Sequence, residues 1–304
     1  MFSGSIPALV TPFGDDGAFD EAAFRALVDW QIEEGSSALV VCGTTGEAAT
    51  LDKDEHFRVV QVCVDQAAGR VPVIAGTGSN DTRVAGANLA AARKAGADAA
   101  LMVPPYYNRP SQDGIVRHFE ALLLDAALPI ILYNVPSRTV TDILPETLAR
   151  IVAVAPDLFV GVKDASGVLQ RVSQHRASCG ERFCQLSGND DLALAFNVMG
   201  GQGCISVTAN VAPRLCADFQ AACAAREYAR ALDLHDRLFA LHVALFTDAS
   251  PGPVKYAMTR VRPGFPESLR LPMTWPGAAA RAAVDAGLAK AGLAKAGLAK
   301  AGLA

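Results

Sequence analysis

The chain is poor in charge, and what it has is nearly balanced. Across 304 residues, 27 lysines and arginines face 31 aspartates and glutamates, a formal net charge of −4. That leaves no basic footprint for neutralising nucleic-acid phosphates. No apolar run reaches the roughly 18 residues that cross a bilayer as a helix, and the opening MFSGSIPALV lacks the basic flank of a secretory signal. A cytosolic protein without a membrane contact is expected. The seven cysteines (Cys42, Cys63, Cys179, Cys184, Cys204, Cys216 and Cys223) form an odd set without C-x-x-C, so they read as small buried hydrophobes and not as disulfides or a zinc knuckle. The five histidines (His56, His118, His175, His235 and His242) include no pair spaced to share a helix face beside a carboxylate, and no metal site is expected. G-x-x-x-x-G-K-[ST] and G-x-S-x-G are also missing, which argues against a P-loop and a serine hydrolase. Apolar residues, by contrast, are plentiful at 51%, enough to exclude a disordered chain and to build a large core.

Short aliphatic runs alternate with longer stretches of helical spacing, the pattern of βαβ units around a parallel sheet. Eight strands are expected: Ile6–Val10, Ala38–Cys42, Val71–Ala75, Ala99–Val103, Ile130–Tyr133, Phe159–Lys163, Phe183–Leu186 and Cys204–Val207. Helices are expected near Asp20–Glu34, Lys53–Ala68, Asp81–Ala95, Gln112–Ala126, Pro145–Val154, Leu169–Ser178, Leu192–Met199 and Ala209–Ala224. Eight such units predict an α/β fold, a (β/α)8 TIM barrel. Each strand also runs into a polar segment, in order TPF, GTTGE, GTGSN, PPYYNRP, YNVPSR, KDASG, SGND and TAN, as the mouth of a barrel requires. A dinucleotide-binding fold would instead concentrate glycines after its first strand as G-x-G-x-x-G, which is not found there.

The domain reading is a barrel over residues 1–225, a helical C-terminal region over 226–288 with helices at Arg226–Phe246 and Val254–Val261, and a low-complexity tail over 289–304. The last nineteen residues repeat AGLAK. A five-residue period does not line its leucines along one helix face, and each glycine costs about 1 kcal/mol relative to alanine, so fraying is expected there.

Lysine is scarce before the tail, with only Lys53, Lys94, Lys163 and Lys255. Lys53 and Lys94 fall in helix end turns and read as solvated charges. Lys255 lies at a helix start outside the barrel and reads as structural. Lys163 ends the apolar sixth strand, which would carry its amine, poorly hydrated, into the barrel mouth. Desolvation disfavours an ammonium, so such an amine is a candidate nucleophile for a ketone. The plainer alternative is a strand-end lysine paired with Asp164 or Glu47. Tyr133 closes the fifth strand, where a phenol beside the amine could relay protons. The hydroxyls of Thr44 and Thr45 in GTTGE could join it while the loop's N–H groups bind a carboxylate; a tight turn with Glu47 as a helix-start acid reads equally well. Arg138 could clamp a carboxylate or be a surface arginine. Tyr106 and Tyr107 place two aromatics on a loop, either capping a core or filling a neighbouring subunit.

With these residues on the page, the chain resembles the dihydrodipicolinate synthases, in the group of pyruvate-dependent class I aldolases that includes N-acetylneuraminate lyase. The resemblance runs from residue 2 to about 288. It rests on FSGSIPALVTPF, VCGTTGEAATL, VPVIAGTGSN, PPYYNRPSQ, ILYNVPSRT, GVKDASG, LSGND, GCISVTANVAPR, PVKYA and LRLPMT, specific as a set. It implies that Lys163 forms an imine with pyruvate, that Tyr133, Thr44 and Tyr107 relay protons, and that Tyr107 arrives from an adjacent subunit. It further implies that Thr45 holds the pyruvate carboxylate, that Arg138 binds the carboxylate of L-aspartate-4-semialdehyde, and that Gly188 and Ile205 line the lysine's surroundings. No metal or organic cofactor is implied. The partners it implies are the two substrates and further copies of the chain, at least a dimer and in full a tetramer built as a dimer of dimers, working in lysine and diaminopimelate biosynthesis.

An aldolase of the same mechanism acting on a sugar acid or 4-hydroxy-2-oxoglutarate is the alternative, and a non-catalytic binding protein on the same scaffold is a third reading. The sugar-acid lyases typically lack an arginine in the YNVPSR loop, which favours the synthase. Lysine-inhibited relatives typically carry Ser, His and Glu where this chain has Ala48, Lys53 and Val84, while His56, Asn80 and Tyr106 are kept. Weak or absent inhibition by lysine is expected. Ser250-Pro251-Gly252-Pro253 stands where relatives often read NPIP, a change assigned to the helical appendage.

Overall fold

Eight parallel strands wrap around a common axis: β1 (Gly4–Pro7), β2 (Leu39–Val41), β3 (Val73–Gly76), β4 (Ala99–Met102), β5 (Ile130–Asn134), β6 (Phe159–Asp164), β7 (Cys184–Ser187) and β8 (Gly203–Ser206). This computed structural model describes residues 2–123 and 128–293. The strands pair in the order β1-β8-β7-β6-β5-β4-β3-β2. The remaining seam, between β1 and β2, is joined by a parallel bridge at Ala8 and Val40, with Leu9 N–H donating to the Val40 carbonyl at 2.9 Å. The TIM barrel is thus nearly closed, as expected, and all eight expected strands are present with ends shifted by up to three residues.

Alternation along the strands explains the two layers of core. Ile6, Ile74, Leu101, Ile131, Leu186 and Ile205 point inward and fill the barrel interior. Their strand neighbours, among them Leu39, Val41, Ala75, Met102, Leu132 and Val162, point outward beneath the helices. A period of two permits both, because successive side chains leave opposite faces of a strand. On β6 the inward positions are Gly161 and Lys163, and Gly161 is there for lack of space: a methyl group on it would lie 2.5 Å from the Cys184 carbonyl oxygen of β7.

The connecting helices are α1 (Glu21–Glu33), α2 (Lys53–Ala67), α3 (Thr82–Lys94) and α4 (Gln112–Leu122), then α5 (Pro136–Thr139), α6 (Pro145–Val154), α7 (Gln170–Cys179), α8 (Ala193–Val198) and α9 (Pro213–Ala224). The first four begin at Asp20, Asp52, Asp81 and Ser111, whose side chains accept from N–H groups of the opening turn; Asp52 and Glu55 complete a capping box. Helices α5, α6 and α9 start on proline, whose missing N–H costs nothing in the first turn. The one-turn α5 was not expected. The expected extension of α4 to Ala126 falls partly outside the described residues.

After the barrel come α10 (Tyr228–Ala244), α11 (Gly252–Val261) and α12 (Ala278–Ala291). Helix α12 corrects the expectation of fraying at the first AGLAK copy. Buried Ala280, Val284, Gly287, Leu288 and Ala291 form one stripe, so the first repeat continues an amphipathic face already set by the residues before it. Gly287 permits the approach to α10, since a methyl group there would lie 2.9 Å from the Leu241 Cα. Gly292, at φ +75°, ends the helix in the left-handed conformation that favours glycine. Residues 294–304, the rest of the repeats, lie outside the described residues. Six of the seven cysteines are buried and Cys179 is half-buried. No helix among the described residues is long and apolar enough to cross a membrane.

Candidate active site

The strand ends where the polar loops begin carry nearly all the residues singled out from the sequence. Strand pairing places Lys163 of β6 between Tyr133 of β5 and Leu186 of β7. Lys163 is only 5% exposed, and its Nζ lies 4.1 Å from the centroid of the Tyr133 ring, itself 7% exposed. Gly188 follows β7 and faces the lysine stem: a methyl group on it would lie 3.1 Å from Lys163 Cε. Ile205 is fully buried in the same inward-facing layer.

The GTTGE segment follows β2 as a tight turn, with Gly46 and Glu47 N–H groups donating to the carbonyls of Gly43 and Thr44, both at 3.1 Å. Thr11 Oγ1 donates to the Gly46 carbonyl at 2.7 Å and ties the turn to the first strand's loop. Thr44 is exposed and Thr45 buried. A cavity of about 410 Å³ opens beside them, lined by Thr44, Tyr133, Arg138, His56 and Tyr106 among others. Thr44, Tyr133 and Arg138 therefore share one space, and Lys163 adjoins it through Tyr133. Arg138 sits on the single turn α5, exposed, with no carboxylate partner among the described residues. His56 also lines the cavity, its Nε2 2.9 Å from the Gly76 carbonyl oxygen, and burial pulls its pKa below the ordinary value.

Tyr107 is not brought to this cavity within the chain. It is 89% exposed and held at φ +71°, a backbone conformation that non-glycine residues seldom adopt. Lys255 is structural, as expected: fully buried, it pairs with Glu47 Oε1 at 2.5 Å. Burial lowers its pKa against the opposing pull of the Glu47 carboxylate. Of the two carboxylates considered as partners for Lys163, Glu47 is thus taken by another lysine.

Two supports of the site were missed from the sequence. Behind the YNVPSR loop, Arg171 donates to both oxygens of Asp142, at 2.7 and 2.6 Å, while Asn134 Nδ2 donates to Asp142 Oδ1 at 2.8 Å. These contacts hold the Asp142 carboxyl below its ordinary pKa, the Arg171 hydrogen bond contributing most. Asn134 directly follows Tyr133, so the network fixes the end of the strand that carries the phenol. Second, Ser250, Pro251, Pro272 and Met273 of the C-terminal region complete the cavity wall. Local pattern assigns that region no part in the site, and its LRLPMT motif is the signal that points there.

A nearly closed (β/α)8 barrel with a buried amine against a phenol, next to a hydroxyl-bearing turn and a free guanidinium, defines an enzyme of the barrel class with its site at the strand C-termini. Comparison with known proteins narrows that class. The profile of the dihydrodipicolinate synthetase family matches residues 1–291. The 4-hydroxy-tetrahydrodipicolinate synthase of Rhizorhabdus wittichii is 68% identical over 289 residues, 95% of this chain and 98% of that one. Among solved structures, dihydrodipicolinate synthase from Aquifex aeolicus superposes with a TM-score of 0.92 at 38% identity, covering 96% of this chain and 99% of that one. The chloride-inhibited dihydrodipicolinate synthase of Acinetobacter baumannii, complexed with pyruvate, superposes with a TM-score of 0.92 at 39% identity, covering 96% and 100%. The chain belongs to the dihydrodipicolinate synthetase family and is an enzyme of the lyase class.

Proposed function

We propose that this chain catalyses the 4-hydroxy-tetrahydrodipicolinate synthase reaction, joining pyruvate to L-aspartate-4-semialdehyde through an imine on Lys163. The observation that carries the reading is the seat of Lys163: an amine shielded from water at the end of a barrel strand, against the ring of Tyr133. Family membership and the names of the relatives support the choice of substrates.

In this reading the Lys163 amine adds to the ketone carbon of pyruvate, and the carbinolamine loses water to give the iminium. Loss of a methyl proton then gives an enamine, whose carbon attacks the aldehyde of the second substrate. The amine of that substrate closes on the imine carbon and expels the Lys163 amine, which returns to its starting state. Tyr133 and Thr44 pass protons to and from the intermediates, with Tyr107 supplied by a second copy of the chain. Its exposure in the single chain is consistent with that origin. Thr45 and the turn N–H groups hold the pyruvate carboxylate, Gly188 and Ile205 shape the space around the lysine, and Arg138 takes the carboxylate of the semialdehyde by a bidentate pair. The working form is a homo-oligomer, a tetramer made of two dimers, in the cytoplasm.

Borohydride reduction in the presence of pyruvate, followed by peptide mass mapping, tests the central step. The reduced adduct is expected on Lys163 and not on Lys255; an adduct elsewhere, or none, overturns the reading. With Arg138→Ala the adduct should still form while use of the semialdehyde falls, and equal loss of both steps would remove Arg138 from its assigned role.

A further inference from the structure

The carboxylate of Glu47 belongs to the GTTGE turn, yet its partners come from the far end of the chain. Its side chain is 1% exposed and pairs with Lys255 Nζ at 2.5 Å. Its other oxygen accepts from the Arg270 backbone N–H at 3.0 Å. Lys255 Nζ donates in addition to the Ser268 carbonyl at 2.9 Å and lies 4.3 Å from the centroid of the Phe13 ring. The Arg270 guanidinium packs on the same ring at 4.2 Å, and donates to the Thr50 carbonyl at 2.9 Å and to both oxygens of Glu55 at 2.7 and 2.6 Å. The C-terminal region therefore grips the segment 47–55 at both ends. At its near end Glu47 sits at φ +54°, and its N–H donates to the Thr44 carbonyl at 3.1 Å.

Stability alone does not account for such a grip. Two fully desolvated charges gain little net stability over well-packed apolar residues, and a non-glycine residue in the left-handed region adds strain. What the arrangement secures is the location of the turn. We propose that Glu47 is a positioning residue: held by Lys255 of α11 and by Arg270 of the segment between α11 and α12, it sets Thr44 and Thr45 against the substrate, making the C-terminal region part of the catalytic apparatus. This rests on the imine reading above.

The variants Glu47→Gln and Lys255→Met are expected to raise KM for pyruvate and to lower turnover about ten- to a hundredfold, the penalty of slight misplacement of reacting groups. Borohydride should still trap pyruvate on Lys163 at saturating concentration. Each single change leaves a lone buried charge and lowers thermal stability. The double variant leaves none, so it should regain stability while KM stays raised. Recovery of KM together with stability would show that the pair serves folding alone, and would overturn the proposal. Glu47→Asp, which keeps the charge pair but draws the turn by one methylene, provides a second test: an unchanged KM in this variant would also overturn it. If the unaltered enzyme gives no borohydride adduct, the imine reading fails. If it gives one and the double variant behaves as wild type, only the positioning role fails.

Discussion

Tyr133 and Lys163 stand directly across from each other on neighbouring strands, with the amine 4.1 Å from the centroid of the phenol ring. The ring packs on the amine whether or not it bears a hydroxyl, so Tyr133→Phe separates packing from proton transfer. Turnover should fall about 10²- to 10⁴-fold, the usual contribution of a positioned acid or base. Mass mapping should still find the reduced pyruvate adduct on Lys163, only formed more slowly. Unchanged turnover would mean that the hydroxyl takes no part in the relay.

Gly188 flanks Lys163 from the opposite side, just after β7. A methyl group there would lie 2.7 Å from Ala165 Cβ and 3.1 Å from Lys163 Cε. Ala165 Cβ is fixed to the backbone and cannot rotate away, whereas the lysine stem can bend. Gly188→Ala should therefore destabilise the fold by about 1–3 kcal/mol, as overpacking does, and displace the amine. Thermal unfolding and the rate of borohydride trapping report the two effects separately. A variant with wild-type melting and trapping would show that the neighbours relax without cost.

Inhibition by lysine should be weak or absent. Free lysine brings two ammonium groups, at its α and ε positions, and each needs a counter-charge once it leaves water. Glu47 is a carboxylate in the cavity wall, and it is already held by Lys255 and Arg270. Ala48 offers no hydroxyl, Val84 no charge, and Lys53 is an exposed cation at the start of α2. Titrating lysine into the assay at subsaturating pyruvate checks this, and half-inhibition in the micromolar range would contradict it.

The barrel was legible because each of its strands is a short aliphatic run with a polar loop behind it, and Lys163 because it was the lysine standing at such a strand end. Thr44 belongs to the GTTGE loop and Tyr133 and Arg138 to the YNVPSR segment, and the fold brings the two segments to one cavity. What stayed hidden depends on approach between distant segments. Nothing local in PVKYA or GTTGE pairs Lys255 with Glu47; only the packing of the C-terminal helices against the second loop does so. The period of the AGLAK copy at the start of the tail predicts fraying, yet its helix is dictated by the stripe that Ala280 and Val284 begin and by the room Gly287 leaves for α10. Tyr107 was named through the resemblance, and the single chain leaves it outside the cavity.

Acid should weaken the fold through its buried histidines, and His118 is the one whose share can be isolated. It is 4% exposed, with Nδ1 2.9 Å from Thr82 Oγ1 and its ring edge-on to Phe119. Burial pulls its pKa from 6.5 down to about 4. An unfolded chain therefore takes up a proton at this position near pH 6.5, while the folded chain resists until about pH 4. The stabilisation is complete above the higher value and is lost as the pH falls toward the lower one, amounting to about 3 kcal/mol by pH 4. His56, His175 and His242 are shifted in the same direction by burial and add to the slope. His118→Gln removes one titrating group and retains an amide that can meet Thr82. Urea unfolding at a series of pH values should then show wild-type stability falling more steeply than the variant's, by about 1.4 kcal/mol per pH unit within that window. Parallel curves for the two proteins would mean that His118 is protonated in the folded state as readily as in the unfolded one.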